Sequence, residues 1–413
     1  MHLFLYNVFL LVYALGIRIT ALWNPKARKW LEGRKNPVTI PKSDRPLVWM
    51  HSSSLGEFEQ GRPVLEQIKK QYPQIRVLLT FFSPSGYEVQ KNYTGADYVL
   101  YLPMDGKKAV RRFLNEAEPQ LVLWVKYEYW YYYLTELKKR QIPVLLISGI
   151  FRQGQPFFQW YGRLHRYMLE SFIHLFVQTR ESKQLLGAIG FNRTVTVSGD
   201  TRFDRVVQIA EASERLPEIE AFCGNHPVIV AGSTWPEDEE EMDHYANTHP
   251  DTKFIIAPHE IDEEHLRDIE KLFKNTVRYS QWKEQVGSST ANTLIIDNIG
   301  MLSKLYKYAT ITYVGGGFGE DGVHNVVEAA VYGKPVVIGP VYEKFVEAVE
   351  LVSRQGAFVI NTALELEQTF DRLLNNDAAY QQACEAARSY VYGKKGATNT
   401  VMQFIQENRL LTS

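Results

Sequence analysis

Five short stretches, each at the end of an apolar run, hold the residues of this chain that could do chemistry. The longest is ITYVGGGFGEDGVHNVVEAAVYGKPVVIGPVYEKFVE, from Ile311 to Glu347. Its β-rich run, residues 311–314, stops at Gly315-Gly316-Gly317. A loop with Gly319 and Gly322 follows, and a helical pattern opens at His324-Asn325 and closes at Gly333. Glycines let the backbone approach an anion closely, and the free N–H groups at a helix start favour negative charge. The stretch reads as a phosphate cradle, with Glu328 on the first helical turn where a nucleotide's sugar hydroxyls would lie. The alternative is an α/β turn whose glycines only pack.

In the second stretch, His51-Ser52-Ser53-Ser54-Leu55-Gly56-Glu57, a carboxylate stands at a helix start just after a strand. Such a group serves as a general base, or simply complements the helix dipole. The third, Lys126-Tyr127-Glu128-Tyr129-Trp130, sets a charged pair in an aromatic run; it is a functional carboxylate loop or an aromatic core patch with Glu128 paired to Lys126. The fourth, Gly199-Asp200-Thr201-Arg202-Phe203-Asp204, offers Arg202 as a phosphate contact. The fifth, Gly232-Ser233-Thr234, presents hydroxyls and backbone N–H groups to a ligand and runs into the acidic segment 237–241, which reads as a solvated helix start.

Several chemistries lack their residues. After Gly315 and Gly317 the third glycine of a G-x-G-x-x-G fingerprint is replaced by Glu320, and no P-loop is present. There is no H-E-x-x-H, no Cys/His cluster and no G-x-S-x-G elbow. The two cysteines, Cys223 and Cys384, supply neither a disulfide framework nor a metal ligand set, which fits a reducing compartment. A net charge of −1 gives no argument for nucleic-acid binding.

The elements that must position these loops follow from the alternation of apolar runs and helical stretches. Strands are predicted at residues 47–50, 76–80, 98–102, 121–125, 144–147, 175–178 and 196–198. After a polar stretch near 205–225, a second series is predicted at 228–231, 253–257, 276–279, 293–297, 309–314, 336–338 and 358–360. Such alternation specifies parallel sheets covered on both faces, and 413 residues exceed one core. Two Rossmann-like halves are expected to face a cleft, with ligands at the carboxyl ends of the strands. The boundaries fall at 1–36, 37–210 and 211–413.

The first of these segments differs in kind. Leu3 to Ile17 is strongly apolar and is followed by Arg18, Lys26, Arg28, Lys29, Arg34 and Lys35. Fifteen apolar residues are short of the ~20 a spanning helix needs, and the charge lies behind rather than before them, unlike a secretory signal. The segment reads as a monotopic anchor or a short insertion that enters and leaves on the same side, with a basic collar against anionic headgroups, or else as a helix buried in the first domain.

Taken together, Ser-x-Gly-Glu at 54–57, Gly-x-x-Arg-Phe-Asp at 199–204, Ser233-Thr234 before acidic residues, and Val-Gly-Gly-Gly…Gly-x-His-Asn-x-x-Glu ending at Glu328 resemble the Kdo (3-deoxy-D-manno-octulosonic acid) transferase family over nearly the whole chain. The resemblance implies a GT-B fold and inverting, metal-independent transfer of Kdo from CMP-Kdo to a lipid A precursor at the cytoplasmic face of the bacterial inner membrane. It implies Glu57 as the catalytic base and Glu128 as a second functional carboxylate. Arg202, Ser233, Thr234, Ile299, Gly300, Gly316, Gly317, His324, Asn325 and Glu328 would hold the donor. Ser54, Gly56, Lys126 and Arg152, helped by Arg163 and Arg166, would meet the acceptor. No cofactor is implied. Two departures stand out: Lys126 replaces the first carboxylate of the family's Glu-Thr-Glu-x-Trp, and Pro258 stands where the family has an arginine before His259.

Overall fold

The computed structural model describes residues 2–35, 39–284, 286–287 and 289–411. Among them are fourteen strands in two all-parallel sheets, and every predicted strand is present. The first sheet comprises β1 (Leu47–Ser52), β2 (Arg76–Phe81), β3 (Tyr98–Tyr101), β4 (Leu121–Val125), β5 (Val144–Gly149), β6 (His174–Val177) and β7 (Val195–Val197). Its order is β3-β2-β1-β4-β5-β6-β7. The second comprises β8 (Val228–Thr234), β9 (Lys253–Pro258), β10 (Thr276–Arg278), β11 (Thr293–Ile295), β12 (Ile311–Val314), β13 (Val336–Ile338) and β14 (Ala357–Val359), in the order β10-β11-β9-β8-β12-β13-β14. Each sheet reverses its strand order beside its first strand, at β1/β4 and at β8/β12, and in the second sheet β11 also inserts between β9 and β10. Loops diverge at such a reversal and leave room for a ligand at the carboxyl ends.

Burial on both faces explains the unbroken apolar runs. In β1 and β4, Trp49, Val122 and Trp124 pack to one side with Phe113 and Tyr133. Val48, Met50, Leu123 and Val125 pack to the other with Phe58 and Leu65. In the second sheet, Ile229, Ala231, Ile311 and Tyr313 pack against Met242, Tyr245 and Phe370.

Two compact units result. One runs to Arg205 and takes back the chain from Lys395 onward; the other is Val206–Lys394. The expected boundary at 210/211 therefore moves by five residues, and the C-terminal segment assigned to the second domain joins the first. Val401, Met402, Ile405 and Leu411 enter the first core, and Asp204 accepts hydrogen bonds from the Gly396 and Thr398 backbone. The boundary expected at 36/37 lies outside the described residues.

The N-terminal helix spans His2–Thr20, longer than the apolar run alone suggested, and Leu3–Thr20 is long and apolar enough to cross a membrane. One side of it docks on the first unit. The Tyr6 hydroxyl donates to Asp105, the Tyr132 hydroxyl donates to Asn7 at 2.8 Å, and Tyr13 packs against Trp30 and Phe82. The other side is bare, with Phe4, Leu11 and Val12 each at least 64% exposed. The helix is thus neither buried in the first domain nor detached from it.

Arg34 does not belong to the basic collar. Its guanidinium lies 3.8 Å over the Trp30 ring and donates to the carbonyls of Leu102, Trp30 and Phe82. Burial pushes its pKa down to about 10. It ties the segment after the helix to the first sheet.

Candidate active site

The first unit builds a pair of carboxylates at its strand reversal. β1 delivers the chain to Ser54, which caps the helix Leu55–Gln71, and this places Glu57 in that helix's first turn. The Glu57 carboxylate folds back to accept the Ser53 backbone N–H and is only 8% exposed. Burial raises its pKa to about 7, and the neighbouring Glu128 adds to the rise; the Ser53 and Tyr127 N–H groups and Lys126 oppose it. A side chain added at Gly56 would point into open space, so the approach to this turn is unobstructed.

Glu128 is brought in from β4. The chain leaves the strand through Lys126 in a left-handed conformation (φ 64°), and the Trp124 indole donates to the Glu128 carbonyl. Its carboxylate accepts from Ser53 Oγ at 2.7 Å, Trp130 Nε1 at 3.0 Å and His51 Nε2 at 3.2 Å. Behind it, fully buried His51 meets Thr80 Oγ1 through Nδ1 at 2.9 Å, and Thr80 Oγ1 accepts from Trp49 Nε1 at 2.8 Å. An indole only donates, so the threonine hydrogen is free for His51 Nδ1 and the proton on Nε2 faces Glu128. The two carboxylates are therefore unequal. Glu128 is held by three side-chain donors, whereas Glu57 is buried and has its proton affinity raised to near neutrality, the pattern of a general base.

The remaining acceptor-side residues divide. Lys126 lies over the Tyr127 ring at 4.9 Å and lowers the proton affinity of Glu57, while Arg152 is exposed. Arg166 is tied to the carbonyls of Phe157 and Gln159, which removes it from the phosphate-binding set. Arg202, grouped with the donor residues by sequence, belongs to the first unit and pairs with Asp200 at 2.9 Å; Asp200 also accepts from Gln60 in the Glu57 helix.

The second unit builds a glycine cradle at its own reversal. β8 ends in a bulge at Ser233 (φ 52°), and β12 ends at Gly315-Gly316-Gly317. Close approach explains the glycines. A Cβ on Gly315 would lie 2.4 Å from the Ser233 carbonyl, and one on Gly317 would lie 2.6 Å from the Gly339 backbone. The loop is held from beneath by Asp238, fully buried, which accepts from the Tyr313 hydroxyl at 2.7 Å, Gly316 N–H at 2.8 Å and Trp235 N–H at 2.9 Å. Beside it, buried Glu239 accepts from Thr234 at 2.7 Å and meets His265 at 3.0 Å. The acidic segment is thus not simply solvated: its second and third residues are structural. Thr234 is fully buried and committed to Glu239, so of the Ser-Thr pair only Ser233 is accessible.

Three rings line up beside the cradle. His259 stacks between Trp235, at 4.7 Å, and His324, at 4.5 Å, and the Trp235 indole donates to His324 Nε2 at 3.0 Å. Burial and the adjacent His259 lower the His324 pKa, which keeps that nitrogen an acceptor. Asn325 caps the short helix Val326–Ala330 and donates to Glu328 at 2.8 Å. Gly300 has φ 95° and carries the exposed Ile299 ahead of the helix Leu302–Leu305. Sequence reading missed Asp238 and Trp235. The first was legible in principle, because 238/239, 242 and 245/246 share the spacing of one buried helix face.

Comparison with known proteins matches residues 28–205 to the family of 3-deoxy-D-manno-octulosonic-acid transferases (kdotransferases). The chain is 25% identical over 346 residues to the 3-deoxy-D-manno-octulosonic acid transferase of Aquifex aeolicus, covering 82% of this chain and 89% of that one. It is 24% identical over 378 residues to that of Haemophilus influenzae, covering 87% and 86%. A bifunctional glycosyltransferase/methyltransferase of Fusobacterium nucleatum is 26% identical over 401 residues; 94% of this chain spans 59% of that protein. In fold, the chain is similar to the UDP-GlcNAc 2-epimerase of Neisseria meningitidis, with a TM-score of 0.61, 17% identity, and coverage of 87% of this chain and 100% of that one. The expected family resemblance and the two Rossmann-like units are borne out.

Proposed function

From the match of residues 28–205 to the 3-deoxy-D-manno-octulosonic-acid transferase family, we propose that the chain transfers Kdo from CMP-Kdo to a hydroxyl of an acylated lipid A precursor, with inversion and without a metal. The observation that carries the reading is the unequal carboxylate pair at the strand reversal of the matched domain. Glu57 takes the proton of the acceptor hydroxyl as its oxygen attacks the anomeric carbon. The bond to CMP breaks, and the leaving phosphate's charge falls on the Gly317 backbone and Ser233, the Gly316 N–H being committed to Asp238. The Glu128 carboxylate, held by its side-chain donors, stabilises the oxocarbenium character of the sugar at the transition state. The bare apolar side of the N-terminal helix supports an anchorage on the cytoplasmic face of the inner membrane, where such an acceptor would be met.

The purified chain, offered labelled CMP-Kdo or UDP-GlcNAc with the lipid acceptor in mixed micelles, is expected to give product from CMP-Kdo alone and at an unchanged rate in EDTA. Product from UDP-GlcNAc alone would overturn the reading. A narrower test addresses Glu128. Ser53→Ala removes the hydroxyl that donates to Glu128 but keeps the backbone N–H that Glu57 accepts. A hydrogen bond to a charged group is worth ~1.5–3 kcal/mol, so kcat is expected to fall by roughly tenfold or more. The acid limb of the pH–rate profile should move upward, because a less solvated Glu128 raises Glu57 further. An unmoved limb would count against the shared role of Ser53.

A further inference from the structure

The first unit contains a cavity of ≈ 520 Å³ that the carboxylate chemistry does not use. Leu5 and Phe9 of the N-terminal helix form one wall, and Leu164 and Met168 of the helix Arg163–Leu169 form another; Tyr129 and the Glu128 carboxylate share its lining. Its size lies within the ~300–1,000 Å³ of small-molecule sites.

Three observations bear on what fills it. Leu5 and Phe9 stand one helical turn apart, are 55% and 52% exposed, and continue the bare apolar side of a helix suited by length and composition to a membrane. The groove is therefore continuous with the surface on which a lipid would arrive. Next, the helix is held as a wall by polar bonds, from Tyr6, itself in the lining, to Asp105 and from Tyr132 to Asn7, so the wall of the groove is fixed. Finally, Tyr161 lines the groove and its neighbour Trp160 is 91% exposed. Paired exposed aromatics of this kind sit at the headgroup level of a bilayer.

We propose that this groove binds one acyl chain of the lipid acceptor and so delivers the acceptor's sugar to the carboxylate pair. The proposal rests on the transfer reaction inferred above.

Each methylene buried in such a groove is worth about fourfold in affinity. The KM for an acceptor carrying tetradecanoyl chains is therefore expected to be at least about a hundredfold below that for its butanoyl counterpart. Leu164→Trp, which fills the groove, should shrink that ratio by about tenfold or more; an unchanged ratio would overturn the proposal. A second measurement needs neither variant nor donor. An acceptor with a diazirine at the end of one acyl chain, irradiated on the unaltered protein in mixed micelles, should label peptides containing Leu5–Phe9 and Leu164–Met168. Labelling elsewhere, or equal labelling of these peptides by a diazirine phosphatidylethanolamine, would overturn it. The two readings separate cleanly: label in the groove without transfer to either acceptor sinks the transfer reaction and leaves the groove, and transfer with label elsewhere sinks the groove alone.

Discussion

Glu57→Gln is expected to lower the rate of sugar transfer by roughly a thousandfold, within the range that general-base catalysis supplies. In the parent protein the rate should rise with pH through about 7, where the Glu57 carboxyl loses its proton, and the variant should lack that rise. A second consequence runs the other way. The folded protein raises this pKa above the ordinary carboxylate value of 4.5, so the group's contribution to stability is present below 4.5 and is lost as pH climbs through about 7. Holding a charged Glu57 at pH 8 therefore costs on the order of 3 kcal/mol, a cost that glutamine escapes. The variant should melt higher than the parent at pH 8 and alike at pH 4. Transfer surviving within about tenfold would remove Glu57 from the base role, and equal melting at pH 8 would remove the burial argument.

Asp238→Ala should produce the largest loss of stability in the second unit. Three donors, the Tyr313 hydroxyl and the N–H groups of Gly316 and Trp235, lose a fully buried acceptor. Each orphaned buried donor costs ~1–3 kcal/mol, which places the total at about 3–5 kcal/mol after relaxation. Tyr313→Phe removes one of the three bonds from the donor side only, leaving Asp238 the other two, and should cost about 1–1.5 kcal/mol. Thermal unfolding followed by calorimetric titration with CMP would check both. The alanine variant should also lose CMP affinity by tenfold or more, since Asp238 sets the conformation of the Gly316 loop. Comparable melting of the two variants would mean that Asp238 does not organise the cradle.

Much of this could be read before any coordinates. Continuous apolar runs such as LVWM and LVLWV are legible because a strand covered on both faces must be apolar at every position. Strand-end loops stand out because their polar residues have no packing duty there, and this is how Glu57, Glu128 and the glycine run were found. Composition failed where charge was taken for exposure. Arg34 reads as part of a collar but lies half-buried over Trp30; Asp238 and Glu239 read as part of a solvated run but are buried, the first under the glycine loop and the second against Thr234 and His265. Local sequence does not state which distant donors will surround a charged group, and those donors decide whether burying it is tolerable.

By itself, then, the sequence determined the two parallel sheets, the polar loops at their strand ends and the family resemblance, since each depends on residue type and spacing along the chain. Tertiary structure decided how the chemistry is divided among those residues. Glu57 and Glu128 are 71 positions apart in sequence, 128 minus 57, yet both interact with Ser53. The proton affinity of Glu57 is set by burial and by a neighbouring carboxylate, not by anything in the Ser-x-Gly-Glu motif. Likewise the C-terminal helix returns to the first unit, and the N-terminal helix lends a wall to a cavity beside Glu128. Both are contacts between segments remote in sequence, where packing rather than local propensity chooses the partner.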